Sequence, residues 1–191
     1  MSDPRLPADL VALARANQAL EAARGVWQSE LPQARRDAVA LTTAAQAGMS
    51  AEAALIIASW LDEFGGPQPR TYVLADELLA LGARNVAAQY LAARRPAAQF
   101  PHLELIQTHE SPRGELQARC VHRISEYVRG DRGEVRLMLA RHLGPGADRR
   151  DAGELLATLA AAASLCVRVA AKQQAVAPGA ILAREGVAAA R

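Results

Sequence analysis

The sequence predicts an all-α protein: one compact bundle of about eight or nine short helices, with a central apolar helix near residues 149–172. Three observations predict it. Forty-four of the 191 residues are alanine, the best helix former and small enough to let helix axes approach closely. Apolar residues recur along most of the chain at i, i+3 and i+4 spacing, the signature of helices with one buried face. Glycine and proline fall mainly between these periodic stretches, where they punctuate helices.

Pro7, with Asp9 behind it, suits the first turn of a helix running to about Arg24, with Leu10, Leu13, Asn17 and Leu20 on one face. Gly25 offers a stop, although Trp27 could extend the stripe. Pro32 fits the first turn of a second helix ending at Gly48, whose seam of Ala34, Ala38, Leu41 and Ala45 asks for a closely packed neighbour. Ser50 is the expected cap of a third helix, with Glu52 favourably placed in its first turn. Gly65-Gly66-Pro67-Gln68-Pro69 is the clearest break in the chain.

Thr71 is the expected cap of a fourth helix ending at Gly82, and a fifth covers roughly Arg84 to Arg94, closed by Pro96. Residues 96–112 are the least helical stretch and read equally as strand, helix or loop. Ser111-Pro112 then opens an amphipathic helix with Leu116, Cys120, Ile124 and Tyr127 inward. A short helix carries Val135, Met138, Leu139 and His142 before Gly144-Pro145-Gly146 breaks the chain again. Asp148 and Asp151 resemble an N-terminal cap for the most apolar helix, from about Arg149 to Lys172. Leu155, Leu159, Ala163 and Cys166 form one stripe and Ala161, Leu165 and Val169 another, as expected of a helix surrounded by others. Pro178 opens a final short helix. The expected organisation is a single helical domain over 1–191, with the Gly65–Pro69 and Gly144–Gly146 breaks as the places to subdivide it. No internal repeat is present.

Composition bounds the function. A net charge of +2 is too small to imply a polyanionic partner on its own. Cys120 and Cys166 lack CxxC-type spacing and fit small buried roles in a reducing compartment. The N-terminus has no basic-then-apolar organisation, and the nearly uncharged run Leu155 to Val167 is too short to span a bilayer, so the expectation is a cytoplasmic protein without a membrane partner.

Few residues carry chemistry. On a helical wheel Ile57, Trp60, Leu61 and Phe64 make a full inward face, which leaves Leu55 and Ile56 as surplus apolar residues beside Glu52, Ser59 and Glu63. Two such residues predict a second contact, with another helix of this chain or with a partner, a partner interface at Leu55 and Ile56 being the functional version. The hairpin Ala40 to Trp60 has the spacing of a helix-turn-helix, but the outward face of its second helix holds no arginine, lysine, asparagine or glutamine to reach a base edge. The stretch Leu74 to Arg95 reads as another hairpin, turning at Gly82, and its Arg84, Asn85, Gln89, Arg94 and Arg95 suit phosphate and base contacts. From Arg113 to Arg150 nine arginines face five acidic residues, an excess that a Glu115–Arg119 pair would trim.

No pair of the four histidines has helical metal-site spacing, and no cofactor loop or catalytic motif is present. His102, His109 and Glu110 are the only polar cluster to inspect for chemistry. The expectation is therefore a non-enzymatic α-helical interaction or regulatory protein that self-associates or binds another protein. The alternative is a DNA-binding or nucleoid-associated protein using the arginine-bearing helices. An enzyme ranks third.

Overall fold

The computed structural model describes residues 8–61, 69–93, 112–130, 132–144 and 146–190. Among these the protein is a compact all-α bundle of seven helices with no strand. They are α1 (Ala8–Ala47), α2 (Ser50–Trp60), α3 (Pro69–Ala93), α4 (Pro112–Arg129), α5 (Gly133–Leu143), α6 (Arg149–Gln174) and α7 (Pro178–Ala189).

Two expected breaks are spanned by continuous helix, so the described residues form seven helices where the sequence predicts eight or nine. The first pair merges into α1, 40 residues long with Pro32 inside it. Trp27 and Leu31 continue the stripe of Ala34, Ala38 and Leu41 against the same core, so packing favours an unbroken helix across Gly25 and Pro32. Pro32 lacks the N–H that would bond the Gln28 carbonyl, but both residues are exposed and water can serve that oxygen.

The second pair merges into α3 through Gly82. This glycine is a contact point, not a turn. A Cβ there would lie 2.7 Å from Cδ1 of Ile124 on α4, so its missing side chain is what lets the two helices close. Thr71 is correspondingly a buried residue inside α3, which begins at Pro69, and does not cap it. Ser50 is likewise the first residue of α2, preceded by Met49 with no side-chain cap. Gly48 does make the α1–α2 turn, at φ +72°, a region glycine enters without steric cost.

The central helix is where the sequence places it. α6 touches all six other helices and buries Leu155, Leu156, Leu159, Ala163 and Cys166 among thirteen residues. Asp148 caps it, accepting a hydrogen bond from the Arg150 amide at 3.2 Å. By length and hydropathy alone α6 could cross a membrane, which the short run Leu155 to Val167 did not suggest; 67% of its most apolar stretch is buried inside the bundle. Cys120 and Cys166 are both free and buried, and burial pushes each thiol up to about 12.

The main core joins Leu41, Trp60, Leu78, Ile124, Leu139 and Leu155 from α1 to α6. A second, smaller cluster fastens α7: Ile181 and Leu182 bury against Val167, Ala170 and Ala171 of α6, with Val39 of α1 alongside.

Candidate functional site

Small side chains meeting from three helices create the first site. Ala44 and Ala45 end α1, Ala53, Ala54 and Ala58 lie on α2, and Gly153, Ala157, Ala160 and Ala161 come from α6. None is long enough to fill the space between the axes. A groove of about 480 Å³ remains, with Leu41, Ile57 and Leu61 contributing larger apolar surface. The alanine seam of α1 signalled close packing; that it would leave a hollow at its end depended on where α2 and α6 sit.

α2 is held beside this groove by polar ties. Trp60 is fully buried, and its Nε1–H donates to Asp37 Oδ2 of α1 at 2.7 Å. Arg70 lies over the Trp60 ring, 4.9 Å from its centre, and donates to the Ser59 carbonyl. Leu55 points away from all of this and is 73% exposed, more than any other large apolar side chain among the described residues. Met49, at the mouth of the groove, is 43% exposed. Ile56 behaves differently from its neighbour: it is partly buried and packs on the core beside Ile57 and Trp60. The outward residues Glu52 and Ser59 offer nothing that reads bases, and the Ser59 hydroxyl is already bonded to the Ile56 carbonyl.

The residues expected to meet nucleic acid are distributed otherwise. Asn85 is buried, and its amide donates to the Leu81 carbonyl at 2.9 Å and to Glu185 Oε1 at 3.4 Å. Arg84 is half exposed but reaches Glu185 Oε2 through both Nε and Nη2, at 3.3 and 3.2 Å, with Glu77 Oε2 3.9 Å from Nη1. A carboxylate from α7 thus shares Arg84 with Glu77. Gln89 lies in α3, but its side chain falls outside the described residues, as do Arg94, Arg95, His102, His109 and Glu110.

The arginine excess after Arg113 is partly neutralised. Arg123 joins Glu126 at 2.6 Å and Glu134 at 3.1 Å, and His122 also pairs with Glu126, at 3.3 Å. Arg132 stacks on Tyr127, whose hydroxyl donates to Asp76 Oδ2 at 2.9 Å. The expected Glu115–Arg119 pair is not among the ion pairs of the described residues. Arg119, Arg123, Arg141 and the half-buried His142 border a hollow of about 320 Å³ between α4 and α5. Burial lowers the His142 pKa, and Asp151 draws it back up. No group of three histidine, cysteine or acidic side chains that could hold a metal assembles among the described residues.

Glu77 is the most constrained charge. Its side chain is 7% exposed, with Arg35 Nε at 3.7 Å and Arg84 Nη1 at 3.9 Å, and Oε2 accepts no hydrogen bond. Burial raises its carboxyl above the ordinary 4.5 despite the pull of Arg84 and Arg35. A raised native pKa means the folded protein takes up this proton before the unfolded chain does. Its contribution to stability is therefore full at pH below 4.5 and lost as pH rises through the native value. Glu77→Gln removes that loss. Urea unfolding at pH 4 and pH 7 should show the variant gaining on the parent as pH rises; a constant gap would mean that Glu77 titrates alike in both states.

No protein-family model, curated protein or solved structure matches this chain.

Proposed function

We propose that this is a non-enzymatic helical interaction protein that self-associates through the α2 end of the bundle and acts in the cytoplasm. One observation carries the reading: a projecting apolar residue and an apolar groove lie on the same short helix. Leu55 stands 73% exposed, and the groove of about 480 Å³ opens beside Ala54 and Ala58 of that helix. Leu55 is not part of the groove wall, but knob and hole lie on the same helix, so a copy of this end of the bundle can engage both. In a two-fold dimer each Leu55 seats against the other subunit's groove, an isologous contact that closes on itself. Docking Leu55 would bury a full leucine side chain twice, at about 1.5–3 kcal/mol each before association costs.

The placement of Ile56 decides which variant tests this. Ile56→Glu would put a charge against the core and destabilise the fold itself. Leu55→Glu changes a solvent-exposed position and leaves the core intact. Light scattering after size exclusion should find a dimer for the parent and a folded monomer for Leu55→Glu, with the same thermal unfolding at low protein concentration. A parent that stays monomeric at high micromolar concentration would end the self-association reading.

Against the DNA-binding alternative, Asn85 is buried and bonded to Glu185, so it presents no amide to a base edge. The same instrument tests it. A mixed-sequence duplex that shifts the elution in a salt-sensitive way would transfer the function to an arginine face.

A further inference from the structure

A second cavity has a different chemistry. It lies between α1, α3 and α7, measures about 540 Å³, and falls in the size range of small-molecule sites. Three guanidinium groups reach it from three helices: Arg35 from α1, Arg84 from α3 and Arg184 from α7. Among the described residues Glu185 is the only carboxylate on its wall, and Glu77 sits behind Arg35 and Arg84. Val39, Ile181, Ala188 and Ala189 supply apolar wall between the charges.

The arginines are incompletely used by the protein. Arg84 turns two nitrogens on a single oxygen of Glu185, at 3.2 and 3.3 Å, whereas its planar fork is shaped for two oxygens at shorter range. Arg184 is held by a neutral partner, donating to Gln174 Oε1 at 2.9 Å. Arg35 approaches Glu77 Oε2 only to 3.7 Å, and that buried oxygen is left without a hydrogen bond. Three forks thus face one cavity, and among the described residues none of them has a bidentate acceptor.

We propose that this cleft binds a small organic anion, a carboxylate or phosphate carried on a short apolar frame, gripped by Arg35, Arg84 and Arg184. The anion bridges α7 to the body of the bundle, adding to the small apolar cluster that already fastens that helix. This site is separate from the α2 surface, and its test does not depend on the oligomeric state.

The probes are inorganic phosphate and succinate, each titrated into the ¹⁵N-labelled full chain with chloride adjusted to hold ionic strength constant. Saturable amide shifts at millimolar concentration are expected, centred on Arg35, Arg84 and α7, and the probe that saturates first identifies the preferred head group. Arg35→Gln with Arg184→Gln should weaken binding about tenfold or more, the loss of charge-assisted hydrogen bonds. Both side chains are solvent-accessible, so the variant should fold. Should it not, the map of shifts on the parent protein decides alone. Shifts that never saturate, that centre instead on the α4–α5 arginines, or that persist unchanged in a folded double variant would overturn the proposal.

Discussion

Trp60→Ala should be among the most damaging single substitutions in the protein, costing about 3–5 kcal/mol. The indole is 1% exposed, anchors α2 to α1 through Asp37, and forms the platform beneath Arg70. Truncation removes buried apolar area, opens a cavity, and releases Arg70 together with its hold on the Ser59 carbonyl. Trp60→Phe separates these effects. It keeps most of the apolar surface but leaves Asp37 without its indole donor. Because Asp37 is only partly buried, water can replace that bond, and the cost should fall to about 1–2 kcal/mol. Far-ultraviolet circular dichroism during urea unfolding is the suitable measurement, since the substitution also removes one of two tryptophan fluorophores. Equal losses for the two variants would show that the hydrogen bond, not the packing, secures α2.

Gly82→Val should destabilise the bundle by about 2–3 kcal/mol, as overpacking a closed helix contact does. The new Cβ would meet Ile124 Cδ1 at 2.7 Å and its Cγ1 and Cγ2 at 3.2 Å, and Ile124 is itself buried with little room to retreat. Helix propensity works the other way, since valine is somewhat better than glycine in a helix interior, by a few tenths of a kcal/mol. Sterics win by a wide margin. The diagnostic is coupling. In an Ile124→Ala background the added methyl groups fill the space just vacated, and Gly82→Val should cost less than half as much. Additive losses would mean that α3 and α4 do not meet at this point.

That glycine also shows why part of the fold was hidden in the sequence. Gly82 and Gly25 read locally as stops, and Pro32 as a start, because glycine and proline are the strongest punctuation a chain carries. Their real roles depend on neighbours distant in sequence. Ile124 needs the space over Gly82, and the core holds Trp27 and Leu31 in line with Ala34. Where local signals and packing agree, the limits were legible: Asp148 caps α6, and its stripe of Leu155, Leu159, Ala163 and Cys166 is buried. The candidate sites divide in the same way. The wheel of α2 separates exposed Leu55 from buried Ile57, and the second contact expected of Ile56 is made within the chain, since α2 turns its Ala53–Ile56–Trp60 flank toward the core. Arg84 and Asn85 were recognisable as polar binders. Their acceptor Glu185 lies about a hundred positions along the chain, and no local pattern announces it.

The position of α6 in the chain has a consequence for biogenesis. It is the sixth helix in order, yet it touches every other one. During synthesis, at about 5–20 residues per second, the five preceding helices would emerge with their apolar stripes formed and no central partner to cover them. Pairs such as α1 and α3 can meet early, but the core around Leu155 and Leu159 closes only after α6 leaves the ribosome. The interval before that is the period in which the nascent chain is most exposed to wrong partners.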